Sequence, residues 1–184
     1  MSQMIDLTLP STVPGRTLHA FRCVPEGEVR AILQLSHGMV EFIDRYKPLA
    51  ESLAQRGILV TGNDHLGHGG SIRTKADYGY FAEPDGNRAV LEDLHSVTKL
   101  TKQLYPGVPY FLLGHSMGSF YARQYLCEWG GELDGAIIMG TGFQPKALVT
   151  FARAVCRVLA VFFGWHHRSK LVAKLSFLGY NKGL

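Results

Sequence analysis

Apolar positions along the chain follow two different periods in alternation. Residues 4–9 and 17–24 read as two strands around a turn at Pro14-Gly15. Ala31-Ile32-Leu33-Gln34-Leu35 is a short, partly branched apolar run that predicts a buried strand over 30–36. Residues 46–56 place Leu49, Leu53 and Ala54 at helical spacing and stop at Gly57. Residues 58–61 then predict a strand, and residues 65–87, rich in Gly, His and Asp, a long loop. Over 87–105 the residues Val90, Leu91, Leu94, Val97, Leu100 and Leu104 share one face of a helix. A strand over 109–113, a helix over 117–129 ending before Gly130, and a strand over 135–140 complete the pattern. Gly135-Ala136-Ile137-Ile138-Met139 reads as a fully buried strand. Strands alternating with helices predict an α/β fold, a mostly parallel sheet covered on both faces.

Beyond Pro145 the pattern changes. Residues 147–165 form one long apolar stretch, close to the length of a membrane span, but Arg153 and Arg157 lie one turn apart in its middle. Each arginine costs about 2.5–3.5 kcal/mol at the centre of a bilayer. The segment is therefore read as an amphipathic helix with the arginines on its wet face, an ordinary core-packed helix being the alternative, and residues 170–178 as a second helix beside it.

Composition narrows the picture only a little. With 184 residues, 46% hydrophobic and 18% charged, the chain can bury a proper core. A net charge of +4 without a dense Lys/Arg stripe permits attraction to anionic lipid and carries no nucleic-acid signature. The three cysteines, Cys23, Cys127 and Cys156, are widely spaced and suggest neither a disulfide framework nor a zinc site. With no basic and apolar leader at the N-terminus, a cytoplasmic location is expected, peripheral to the membrane if the apolar segment touches lipid.

The chemistry concentrates in three places. Tyr110 to Leu113 feeds Gly114-His115-Ser116-Met117-Gly118, and a helix follows at once. This is G-x-S-x-G in a strand, turn and helix context, which exposes a nucleophilic serine at the tip of a strained turn. Gly114 and Gly118 flank Ser116 because side chains there would collide with the neighbouring strand and helix. Upstream, the strand over 30–36 runs into Ser36-His37-Gly38-Met39-Val40-Glu41. An oxyanion hole needs two donors, and the backbone amides of Met117 and Met39 are placed to supply them. The third segment, Asp64-His65-Leu66-Gly67-His68-Gly69-Gly70-Ser71, has metal-ligand residue types but no partner motif to complete a site, and it lacks the phosphate-loop spacing. It is read as a structural loop under the site, with no metal and no cofactor. His115 inside the elbow is expected to pack against the neighbouring loop, and His166-His167 to face solvent.

These three segments carry a resemblance. Residues 37–46, His37-Gly38-Met39-Val40-Glu41-Phe42-Ile43-Asp44-Arg45-Tyr46, are similar to the H-G-x-x-E-H-x-x-R-Y segment of the monoacylglycerol lipase and lysophospholipase group of α/β-hydrolases, which overlaps the serine aminopeptidase S33 family. Asp64 to Ser71 resembles the group's D-x-x-G-H-G-x-S loop, and Gly114 to Gly118 its G-H-S-M-G elbow. Phe42 departs from the group's histidine. The resemblance implies an α/β-hydrolase core over residues 1–144 and the start of a helical cap over 145–184, which would shape an apolar acyl tunnel. It also implies hydrolysis of a small lipid ester, with Ser116 as nucleophile and His37, Gly38, Glu41, Asp64, Gly67, His68 and Gly69 in supporting loops.

A serine nucleophile needs a histidine base and an orienting carboxylate, which follow the serine in this fold. After Ser116 the only carboxylates are Glu128, Glu132 and Asp134, on the elbow helix or ahead of the next strand. The chain is therefore expected to be the N-terminal part of an enzyme, lacking the triad acid and base and inactive alone. An S33-type aminopeptidase remains open, as does a non-catalytic fragment that keeps the elbow as a binding module. An aminopeptidase would want an acidic pocket for the free amine of its substrate.

Overall fold

The computed structural model describes residues 2–167 together with 169, 170 and 172. In chain order the strands are β1 (Gln3–Pro10), β2 (Thr17–Val24), β3 (Ala31–Ser36), β4 (Ile58–Asn63), β5 (Tyr110–His115) and β6 (Gly135–Met139). The α-helices are α1 (Lys47–Ala54), α2 (Gly86–Leu104), α3 (Met117–Trp129) and α4 (Lys146–Phe163). Two compact units result, residues 1–142 and residues 143–184.

In the first unit, six strands form one sheet in the order β1-β2-β4-β3-β5-β6. The β1–β2 hairpin joins antiparallel, and β4, β3, β5 and β6 run parallel. This is the mostly parallel sheet that the alternation of periods predicts. Neighbouring residues on one strand serve opposite faces. Leu112 packs with α2 and α3 against Leu91, Leu94, Tyr121 and Tyr125. Leu113, one residue on, packs with Leu33, Leu35 and Val60 against Ala50 and Ala54 of α1. Helices thus cover both faces, and all these core residues are buried.

Local chemistry sets the element ends. Asp85 caps α2 by accepting the Arg88 amide at 3.0 Å. Gly57, at φ 78°, takes the left-handed turn that releases the chain from α1 into β4. A 3-10 turn over Ile43–Tyr46 precedes α1 where the sequence suggests helix from residue 46. A tertiary contact fixes it, since the Ile43 amide donates to Asp64 Oδ1 at 2.6 Å.

One expectation fails. β6 is not fully buried: Ile137 and Met139 are 48% and 45% exposed. An unbroken apolar run predicts two covered faces only where neighbours lie on both sides, and β6 pairs with β5 alone among the described strands.

In the second unit α4 is an apolar helix without a buried residue. Arg153 and Arg157 are exposed, as are the rings of Phe151, Phe162, Phe163 and Trp165. Among the described residues no helix is long and apolar enough to cross a membrane. The second helix expected over 170–178 falls outside the described residues, apart from 170 and 172.

Candidate active site

The turn between β5 and α3 carries Ser116 at φ 51° and ψ −116°. A non-glycine residue in this region costs about 1–3 kcal/mol and persists only where its surroundings impose it. Here they do. The Ser116 amide donates to Met139 O at the end of β6 (2.9 Å), and the Ser119 amide and hydroxyl donate to Ser116 O at 2.9 and 2.6 Å. The flanking glycines are required by contact. A Cβ on Gly118 would run into the carbonyls of Ser36 and His37, and one on Gly114 into Gly118 O and Ala122. The elbow is thus pressed against the end of β3 on one side and its own helix on the other. Met117 opens α3, so its N–H lies among the amides that a helix start leaves without an intrahelical partner.

The loop after β3 meets the elbow directly. A Cβ on Gly38 would lie 3.1 Å from Ser116 Cβ and 2.6 Å from Glu41 Oε1. Glu41 is buried, and its carboxylate gathers four donors. Oε1 accepts the Gly38 amide in a short bond, Nδ1–H of His115 at 2.9 Å and the Tyr46 hydroxyl at 3.1 Å; Oε2 accepts Arg45 at 3.0 Å. Burial acts to raise the Glu41 pKa, but the bonds from His115, Gly38 and Tyr46 outweigh it and hold the carboxyl below its usual range. Met39 and Phe42, by contrast, have side chains 48% and 46% exposed.

Beneath this loop lies a cluster of buried histidines. The His37 ring sits 4.3 Å from that of His65 and 5.4 Å from that of His68. His37 Nε2 accepts the His65 amide at 2.9 Å, so the ring proton is on Nδ1, which donates to Gly38 O at 2.7 Å. Burial pushes its pKa down to about 4. Burial also lowers the pKa of His65 and of His68, whose Nδ1 donates to Leu66 O at 3.1 Å. Asp64 ties the two loops together, accepting the amides of Ile43 at 2.6 Å and Gly70 at 2.7 Å. Gly69 and Gly67 turn with positive φ there, the first against the Asp64 carboxylate and the second against the Tyr80 backbone. Of the residue types that suggested a metal site, the Asp64 carboxylate holds loops together by accepting backbone amides.

Two of the histidines read from sequence, His37 and His115, thus have defined work, none of it on the serine. Both nitrogens of His37 are engaged, and Nδ1–H of His115 faces Glu41. The carboxylates after Ser116 are spent elsewhere. Glu128 pairs with Arg88, Glu132 with His95, and Asp134 accepts the amide of Tyr110 at the far end of β5 from the elbow. Sequence reasoning named Glu41 as a loop residue and expected His115 to pack against the neighbouring loop, but it missed Tyr46 and the bond between His115 and Glu41. The available signal was spacing, since Glu41 and Arg45 stand four apart and Tyr46 follows. A cleft of about 480 Å³ lined by Pro25, Glu28, Arg30 and Arg56 lies at the opposite ends of β3 and β4, away from Ser116.

Residues 27–179 match the serine aminopeptidase S33 family of hydrolases, a span that includes the loop after β3, the histidine-rich loop and the elbow. The chain belongs to that family. Among its relatives is the monoglyceride lipase of Homo sapiens, 33% identical over 164 residues, which are 84% of this chain and 50% of the human protein. A monoglyceride lipase homolog of monkeypox virus is 42% identical over 113 residues, 60% of this chain and 38% of the viral one. Among solved structures, a thermostable carboxyl esterase from Bacillus coagulans in complex with glycerol superposes with a TM-score of 0.79 at 28% identity, covering 97% of this chain and 56% of the esterase. The chain thus spans half or less of the length of these two relatives, and the α/β-hydrolase fold is shared along the part that it does span.

Proposed function

We propose that this chain is the nucleophile-bearing part of a carboxylic ester hydrolase acting on a monoacylglycerol or lysophospholipid. Ser116 Oγ attacks the acyl carbonyl carbon, and the amides of Met39 and Met117 stabilise the oxyanion that forms. The ester C–O bond then breaks, and the alcohol leaves with the proton that the general base took from Ser116. Water next attacks the acyl-serine and releases the fatty acid. The observation that carries this reading is Ser116 at φ 51°, held strained between β5 and α3 with Gly38 packed against it. Similarity to monoglyceride lipases supports the substrate class.

The acid and base of the triad come, in this reading, from polypeptide outside residues 1–184. The engagement of His37 and His115 and of the downstream carboxylates supports this. The segment from residue 145 begins the helical cap that the family resemblance implies, and the exposed rings and arginines of α4 make peripheral contact with lipid. An aminopeptidase would need a free carboxylate for the substrate amine, but Glu41, beside the elbow, already receives four donors.

The test is turnover of 1-monoacylglycerols against aminoacyl amides, measured for residues 1–184 alone and for the protein expressed from its genomic locus. Ester turnover by the second, lost in Ser116→Ala, and none by the first, is expected. Turnover by residues 1–184 alone that depends on Ser116 would overturn the assignment of the base.

A further inference from the structure

The feature that the mechanism leaves unexplained is Val40. It sits in the left-handed region at φ 61°, where a β-branched side chain is a strong outlier. Its side chain is 83% exposed, so packing does not compensate. Something on either side of it must hold the backbone there. On one side is Met39, the proposed oxyanion donor, preceded by Gly38 against Ser116. On the other is Glu41, whose carboxylate reaches back three residues to the Gly38 amide and closes a ring around the strained residue. The same carboxylate oxygen accepts hydrogen bonds from Nδ1–H of His115, the residue before Ser116, and from the Tyr46 hydroxyl in the following 3-10 turn.

We propose that Glu41 is a positioning residue, a clamp that holds the Gly38-Met39-Val40 loop in its strained form against the elbow and so aims the Met39 amide at the oxyanion. The inference rests on the reading of Ser116 and Met39 given above. Three bonds on Glu41 Oε1 join the loop, the turn after it and the elbow at one atom. Loss of the carboxylate releases all three together. Val40 then relaxes to negative φ, and the adjoining peptide groups turn, Met39 N–H with them. Strain at Val40 is what makes the clamp necessary, so a glycine there, for which positive φ carries no steric cost, makes it dispensable.

The test has two arms. In 15N-labelled residues 1–184, the Gly38 and Met39 amides report the loop directly. Glu41→Ala is expected to move both resonances and to speed Gly38 amide exchange at least about tenfold. Adding Val40→Gly returns the Met39 resonance to its original position while leaving Gly38 fast. If Glu41→Ala does not fold, Glu41→Gln is read in the same way. In the protein expressed from its genomic locus, Glu41→Ala lowers kcat about ten- to a hundredfold with KM within about twofold, and Val40→Gly recovers most of the loss. A Met39 amide that stays in place without Glu41, or a kcat loss that Val40→Gly does not repair, overturns the clamp. Activity that survives Ser116→Ala overturns the nucleophile instead, and the amide arm still decides whether Glu41 holds the loop.

Discussion

Acid should loosen this molecule from beneath its site, and His37 sets the pH at which it does so. The ring is wholly buried, its two nitrogens are committed, and burial holds its pKa at about 4 against an ordinary 6.5. The folded state therefore binds a proton less readily than the unfolded chain. The associated stability is present above pH 6.5 and is lost as pH falls from 6.5 towards 4. The whole gap corresponds to about 3 kcal/mol, of which about 2 kcal/mol is lost between pH 7 and pH 5. His65 and His68, lowered by burial too, add in the same direction. Asp64 and Asp93 oppose it, because burial raises their pKa and their protonation relieves a buried charge at the acid end. Urea unfolding of the wild type and of His37→Leu, from pH 7 to pH 5, measures the effect. The variant starts less stable, because the His65 amide loses its acceptor, but its pH slope should be shallower by about 2 kcal/mol over that interval. An equally steep slope in the two proteins would refute the reasoning.

Two further outcomes follow from the same geometry. Gly118→Ala places a methyl against the carbonyls of Ser36 and His37, and it should cost about 3 kcal/mol or prevent folding, read as a lowered urea midpoint. The protein expressed from its genomic locus should sediment with anionic vesicles at low salt and release at high salt, through the rings of α4 and the charges of Arg153 and Arg157; binding that ignores salt would contradict this.

The sheet was legible because its signals are local. A strand such as 58–61 and a helix such as 87–105 announce themselves by period, and both stand within a few residues of where they were expected. The strained turn at Ser116 was legible for a related reason, since serine, flanking glycines and helix start stand within five residues. What the sequence concealed is whatever depends on contact between distant segments. Apolarity alone made β6 look buried, because a run of residues does not show how many neighbours its strand has. Tyr46, His115 and Glu41 are separated by up to 74 positions in the chain, and only the fold brings them to one carboxylate. The left-handed Val40 was equally hidden, since valine's own preference argues against that conformation.

The central claim is that Ser116 is the nucleophile, and covalent labelling tests it most directly. The protein expressed from its genomic locus is treated with a fluorophosphonate, digested and mapped by mass. The account predicts one adduct, on the peptide containing Ser116, absent from Ser116→Ala and suppressed by a monoacylglycerol present in excess. An adduct on another residue, or one that persists in Ser116→Ala, would contradict it.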